Sequence, residues 1–305
     1  MAHHNPLRGR TAVVTGAARG LGAGLARELA GRGMRIALIG REAETLERVS
    51  RELPVESRCY EADVTDDDLM ERTARRVARD LGEPSVVIAN AGVAEGGPFA
   101  TSDPGTWRRV IEVNLVGSAI TARTFLPGLL ASRGYFLQVA STAAFGSAPM
   151  MSAYCASKAG AESFAQSLRA ECAHRGVGVG IAYLHWTDTD MVRDVDAHDV
   201  LRELRAHMPR PARTVYPVEK VASWLAEAVR RRSATVYAPP WLRLVQPVRP
   251  LLPLLVARSS ARTLPRLAER GALSATGLLG PGGLAAREGR TDGGGRGDAG
   301  SSDRR

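Results

Sequence analysis

Apolar and polar residues alternate in two registers over the first 240 positions. Short apolar runs bounded by turn residues read as buried parallel strands: "TAVVTG" (11–16), "RIALIG" (35–40), "SVVIANAG" (85–92), "GYFLQVAS" (134–141), "GVGIAYL" (178–184) and "ATVYAP" (234–239). A weaker run, "ESRCYEAD" (56–63), fits the same series. Between them lie segments of helical length and period, such as "GLGAGLARELAGRG" (20–33) and "DDDLMERTARRVARDLG" (66–82). Asp66 suits the N-cap of the latter and Gly82 its stop. Repetition of strand, helix, strand predicts right-handed crossovers and an α/β fold, a doubly wound parallel sheet in a single domain. Ligands of such sheets bind at the carboxyl ends of the strands.

The pattern changes after residue 240. "WLRLVQPVRPLLPLLVAR" (241–258) mixes Leu and Val with Arg, and four prolines fall within 240–253, which argues against one long regular helix. From Gly271 the chain is rich in Gly, Ala and Arg, and this composition predicts disorder. The expected organisation is a domain over 1–240, a basic Leu/Pro-rich extension over 241–270 and a disordered tail over 271–305.

Charge refines this division. The chain carries a net charge of +9 with a pI near 10.1. From Trp241 onward there are eleven Arg against five acids, so the basic character belongs largely to the extension and tail. Nucleic-acid binding is therefore not expected of the main domain. Leu-rich turns with interleaved Arg suit an anionic membrane surface, and suit equally packing on the domain or on a partner subunit. No stretch reads as a membrane span of roughly 18 or more apolar residues. The N-terminal "MAHHNPLRGR" lacks a signal peptide's apolar run, and Cys59, Cys155 and Cys172 are scattered without metal-ligand or disulfide spacing. A cytoplasmic location is expected.

Candidate chemistry follows the strands. "TGAARGLG" (15–22) ends the first one, and Gly16, Gly20 and Gly22 allow a tight turn and close approach of backbone to a ligand. The helix opening near Gly20 directs free N–H groups and its positive dipole end at that space, as a pyrophosphate requires. After the second strand, Gly40 stands where an NAD site offers an acid to the ribose 2′-OH, and Arg41 follows. Arg41 and Arg19 suit a 2′-phosphate, whereas the adjacent Glu42 weighs the other way. NADP is expected in preference to NAD.

Ser141 ends its strand, Asn114 lies in "IEVNLVG", and Tyr154 and Lys158 share a helix face at i, i+4. Lys158 and Lys220 are the only lysines in a chain that otherwise writes its positive charge as Arg. A nearby ammonium favours tyrosinate and lowers the phenol pKa from its usual value of about 10, which suits a general acid/base. Singly, each of the four residues has an ordinary use as a packer, turn residue, surface charge or cap; together on this fold they become specific.

With "TGAARGLG", "DV" (63–64), "NAG" (90–92), "VN" (113–114), Ser141 and "YCASK" (154–158) in this order, the chain resembles a compact short-chain dehydrogenase/reductase over roughly residues 8–239. The resemblance implies a Rossmann-type three-layer αβα fold and hydride transfer between a nicotinamide cofactor and a carbonyl or alcohol. It implies that Gly16, Gly20, Leu21 and Gly22 hold the pyrophosphate and that Asp63 and Val64 meet the adenine. Asn90, Ala91 and Gly92 would pass along the cofactor. Tyr154 would transfer the proton, Lys158 bind ribose hydroxyls and tune Tyr154, Ser141 hold the reacting oxygen, and Asn114 hold a water leading from Lys158 to solvent. Where the family usually shows Pro-Gly, this chain has Leu184 and His185, and His185 either lines the site or caps a turn. Thr187 and Thr189 still align with cofactor-contacting positions. The stretch from Met191 to Tyr216 falls at the substrate lid, where Val192, Val195, Val200, Leu201, Leu204 and Met208, with Phe145, Met150 and Met151, would wall a pocket for a hydrophobic carbonyl or alcohol. The assembly expected is a homo-oligomer. The competing expectation is a catalytically silent nucleotide-binding or scaffold protein of the same fold.

Overall fold

The computed structural model describes residues 5–269 and 273–280. The chain order is β1 (Thr11–Thr15), α1 (Gly20–Gly31), β2 (Arg35–Gly40), α2 (Ala43–Arg51), β3 (Ser57–Glu61), α3 (Asp67–Leu81), β4 (Pro84–Ala89) and β5 (Ala94–Gly96). It continues with α4 (Pro104–Ile111), α5 (Gly117–Ser132), β6 (Tyr135–Ser141), α6 (Ser152–Cys172), β7 (Gly178–Leu184), α7 (Asp190–Ala197) and α8 (Asp199–Ala206). The last elements are α9 (Arg210–Arg213), α10 (Val218–Arg231), β8 (Thr235–Ala238), α11 (Leu252–Glu269) and β9 (Gly277–Leu279).

Seven parallel strands run in the order β3-β2-β1-β4-β6-β7-β8. The central ones are apolar on both faces because both faces are covered. Val14 joins a core with Leu25 and Leu29 of α1 and Leu225 of α10, while its neighbour Val13 joins Met70 of α3, Phe125 of α5 and Leu168 of α6 on the other side. The sheet reverses direction of growth between β1 and β4, the switch point at which such folds open a crevice. β3 is half-exposed at the edge, which accounts for its weak apolar signal. Asp66 caps α3, its carboxylate accepting from the Leu69 N–H at 2.8 Å, and Gly82 follows the last turn with φ +78°.

The run Pro104–Ser132 is long and apolar enough by composition to cross a membrane, contrary to the reading of the sequence. It lies on β4 and against α3 and α6, so its apolar residues serve the core.

The extension departs most from expectation. Residues 240–251 form two short 3-10 turns and α11 begins only at Leu252, as the proline density requires. However, part of the segment expected to be disordered is built: β9 pairs antiparallel with β5, Ala94 opposite Leu279 and Gly96 opposite Gly277. Leu278 and Leu279 are buried, and that apolar contact outweighs the composition around them. Residues 281–305 of the expected tail lie outside the described residues.

Candidate active site

The loops after β1, β2, β4, β6 and β7 converge on two adjoining cavities at the carboxyl ends of the strands. Gly16 turns the chain out of β1 with φ +64°, and a Cβ there would stand 2.8 Å from the Ala91 Cα. Asn90 clamps that turn: its Nδ2 donates to the carbonyls of Thr15 at 2.9 Å and Gly16 at 3.3 Å, while the Thr15 hydroxyl accepts from the Asn90 and Ala91 amides. A Cβ on Gly22 would fall 2.0 Å from the Gly16 carbonyl oxygen, so only glycine lets α1 start this close to the turn.

The first cavity is lined by Gly16, Arg19, Gly20, Leu21, Gly22, Asn90, Ala91, Gly92, Ser141, Tyr154, Lys158, Thr187 and Thr189, and the second by Arg41, Asp63 and Val64. The structure thus gathers the whole expected cofactor set. Arg19 pairs with Glu42 at 3.1 Å and Arg41 with Asp63 at 3.6 Å, yet Arg19 Nε and Arg41 Nη1 are buried with no hydrogen-bond partner. Two orphaned guanidinium nitrogens beside a glycine cradle fit a phosphate-bearing dinucleotide. Asp63 is more committed than the sequence suggests. Burial acts to raise its pKa, but hydrogen bonds from Thr65 and the Arg109 guanidinium outweigh burial and hold it below the usual value.

Tyr154 and Lys158 come from the first two turns of α6, with Lys158 Nζ 5.7 Å from the Tyr154 ring centroid and donating to the Val139 carbonyl at 3.2 Å. Ser141 lines the same cavity as Tyr154, and its side chain acts to lower the phenol pKa. The i, i+4 spacing gives the proximity correctly but not the titration. Burial pushes the Tyr154 phenol up to about 12, against the lowering effect of Ser141, and burial also lowers Lys158 to about 8. Desolvation is the largest cause of both shifts.

Asn114 is fully buried in a π-helical turn, Glu112–Val116, between α4 and α5. Its side chain accepts from the Val93 amide at 2.8 Å and donates to the Val93 carbonyl and Ser157 hydroxyl, both at 2.9 Å. It therefore pins the Asn90–Gly92 loop to α6, and a Cβ on Gly92 would lie 3.2 Å from its Oδ1 and 3.5 Å from Lys158 Nζ.

His185 takes the first of its two readings and bridges two loops rather than capping a turn. It lines the cavity, and its ring ties Thr142 Oγ1 at 3.1 Å to the Ala212 carbonyl at 2.5 Å, joining the loop after β6 to the lid. Burial lowers its pKa. Of the expected apolar wall, Val192 lines the cavity whereas Val200, Leu204, Met208 and Met150 do not; Met191, which was not expected there, lines it too. Val195, Leu201 and Met151 pack instead into a small core with Ala94 and Leu279. Phe145 turns away, its ring centroid 4.7 Å from that of Tyr183. Leu279 and Gly280 complete the lining and were not expected from sequence.

A tyrosine and a serine near a buried lysine, beside a dinucleotide cradle on a doubly wound sheet, fit a nucleotide-dependent oxidoreductase site. The family profile for short chain dehydrogenases matches residues 10–200. The chain is 33% identical over 225 residues to cis-4-hydroxycyclohexanecarboxylate dehydrogenase of Sinomonas cyclohexanicum, covering 72% of this chain and 90% of that one. It is 28% identical over 234 residues to nodulation protein G of Rhizobium sp. strain N33, covering 75% and 93%. The crystal structure of a short-chain type dehydrogenase/reductase from Mycobacterium marinum superposes with a TM-score of 0.69 at 20% identity, over 76% of this chain and 94% of that one. The chain belongs to the short-chain dehydrogenase/reductase family, whose members are oxidoreductases that use NAD(P) nucleotides.

Proposed function

We propose that the protein is an NADP(H)-dependent oxidoreductase that interconverts a hydrophobic carbonyl compound and its alcohol, with Tyr154 as general acid/base. The observation that carries the reading is the gathering of Ser141, Tyr154 and the buried Lys158 in one cavity with the glycine cradle. A bound nicotinamide supplies or takes up the hydride at the substrate carbon. In reduction the Tyr154 hydroxyl gives its proton to the carbonyl oxygen; in oxidation tyrosinate takes the alcohol proton. Ser141 holds that oxygen by a hydrogen bond. Lys158 reaches ribose hydroxyls as a compact ammonium and stabilises tyrosinate, and Asn114 anchors the loop between them. Arg19 and Arg41 receive the 2′-phosphate, which supports NADP over NAD. The apolar wall of Met191, Val192 and Leu279 supports a hydrophobic substrate.

The decisive experiment is a panel of carbonyls and alcohols with NADPH/NADP and NADH/NAD in parallel, on wild type and Tyr154→Phe. Wild type is expected to reduce hydrophobic ketones preferentially with NADPH. Tyr154→Phe should retain nucleotide binding while turnover falls roughly 10²–10⁴-fold. Unchanged turnover in the variant would remove Tyr154 from its role, and nucleotide binding without turnover in wild type would favour the scaffold reading.

A second reading concerns the extension. Leu244, Leu251, Leu254 and Leu255 are 72%, 55%, 61% and 56% exposed, and Arg243, Arg258, Arg262 and Arg266 lie among or beyond them. This combination supports peripheral contact with an anionic bilayer. A homo-oligomer in the cytoplasm is the assembly and compartment proposed with it.

A further inference from the structure

We propose that the C-terminal strand is the outer wall of the substrate pocket and that Leu279 sets the size of substrate admitted. This rests on the oxidoreductase reading above. The strand is fastened at both ends. At one, the Gly96 amide donates to Thr276 Oγ1 at 2.8 Å and the Thr276 amide donates to the Gly96 carbonyl at 2.7 Å. At the other, the Gly280 amide donates to Asp194 Oδ2 of α7 at 2.7 Å. It therefore bridges β5, which follows the Asn90–Gly92 loop, and the lid helix.

Its two leucines point opposite ways, as alternation along a strand requires. Leu278 enters the main core beside Val93 and Phe145. Leu279 packs with Met151, Val195 and Leu201 under the lid and lines the cavity that holds Ser141, Tyr154 and His185. Gly280 continues the wall, where a Cβ would stand 3.4 Å from the Met191 Cα. The family profile ends at residue 200, so this wall lies outside the part of the chain that the profile describes. Chemistry is set by residues within the profile's range, and the pocket's outer boundary by a segment beyond it.

The test uses the full-length protein and a size series of ketones: cyclohexanone, a decalone and a tricyclic ketone. Leu279→Ala is expected to raise the kcat/KM ratio of the tricyclic ketone over cyclohexanone by ~10-fold, the scale on which a few methylenes discriminate in an apolar pocket. Leu278→Ala removes equal bulk from the same strand but not from the cavity, and should leave that ratio unchanged. Equal ratios in the two variants would overturn the role of Leu279. Hydrogen exchange reads the wall without turnover. Residues 94–97 should be protected in wild type and lose protection when Leu278→Asp and Leu279→Asp together unseat the strand. Equally fast exchange in both proteins would overturn the wall. If no ketone is reduced by any variant, the oxidoreductase reading fails separately; the exchange data still decide the wall, and the size limit is then read from ketone Kd values, which Leu279→Ala alone should shift towards the larger ring.

Discussion

Lys158 is the residue where charge and burial contend. Burial lowers it from 10.5 to about 8, so the folded state holds the ammonium less tightly than the unfolded chain does. Between those two values the unfolded chain binds more protons, and this group's contribution to stability rises with pH across the window. Activity should move the other way. The amine that forms as pH rises through about 8 no longer supports tyrosinate or grips ribose hydroxyls as a cation. The kcat/KM of ketone reduction is expected to fall through a limb near that value. Lys158→Arg should lower the rate, because a planar fork does not replace a compact ammonium, and should abolish the limb, because guanidinium stays charged. A limb that survives in Lys158→Arg would assign it to another group. The sequence conveys that one of the chain's two lysines stands here, one helical turn from a tyrosine; it does not convey burial, and so Tyr154 moves up where spacing alone suggests down.

At the scale of elements, an ion pair to a buried carboxylate helps to hold the extension to α6. Arg249 makes a bidentate pair with Glu162 of α6, donating to Oε1 at 2.5 Å and Oε2 at 2.8 Å, and Glu162 is only 3% exposed. Arg249 also donates to the Ala144 carbonyl and lies 5.3 Å from the Phe145 ring centroid. In Arg249→Ala the Glu162 carboxylate keeps hydrogen bonds from Tyr183 and Gln166 but loses its countercharge. Removing one partner of a buried pair should cost about 3 kcal/mol of unfolding free energy in urea. Glu162→Gln in that background should recover much of it, and a loss below about 1 kcal/mol would show that the pair does not fasten the extension. This contact also marks where sequence reading stops. The parallel strands are legible as apolar runs, the helices as periodic ones, and the site residues because they follow strands. β5 and β9 have three residues each and pair across more than 180 positions, too short for a period and too distant for a turn signal. Arg249 reads as one more tail arginine until Glu162 is found beneath it.

For the whole molecule, the extension buries Leu242 and Leu267 while Leu244, Leu251, Leu254 and Leu255 face outward. Among the described residues, Arg243, Arg258, Arg262 and Arg266 have no ion-pair partner. In α11, Leu255, Arg258, Arg262 and Arg266 recur at helical spacing on one side, so apolar and cationic groups face the same surroundings. Arginines near an anionic leaflet contribute about 1 kcal/mol each, and inserted leucines add the transfer of their side chains. Full-length protein should therefore sediment with phosphatidylserine-containing vesicles and much less with phosphatidylcholine alone. Salt should weaken the association by screening the arginines. Leu251→Glu with Leu254→Glu changes exposed side chains only, and should release the protein from vesicles without altering ketone turnover in free solution. Arg258→Glu with Arg262→Glu should do the same while abolishing the preference for anionic lipid. Equal sedimentation of wild type and both double variants would remove the bilayer as the surface this face meets, leaving a second protein copy as its counterpart. In that case light scattering, rather than vesicle binding, should respond to the leucine substitutions.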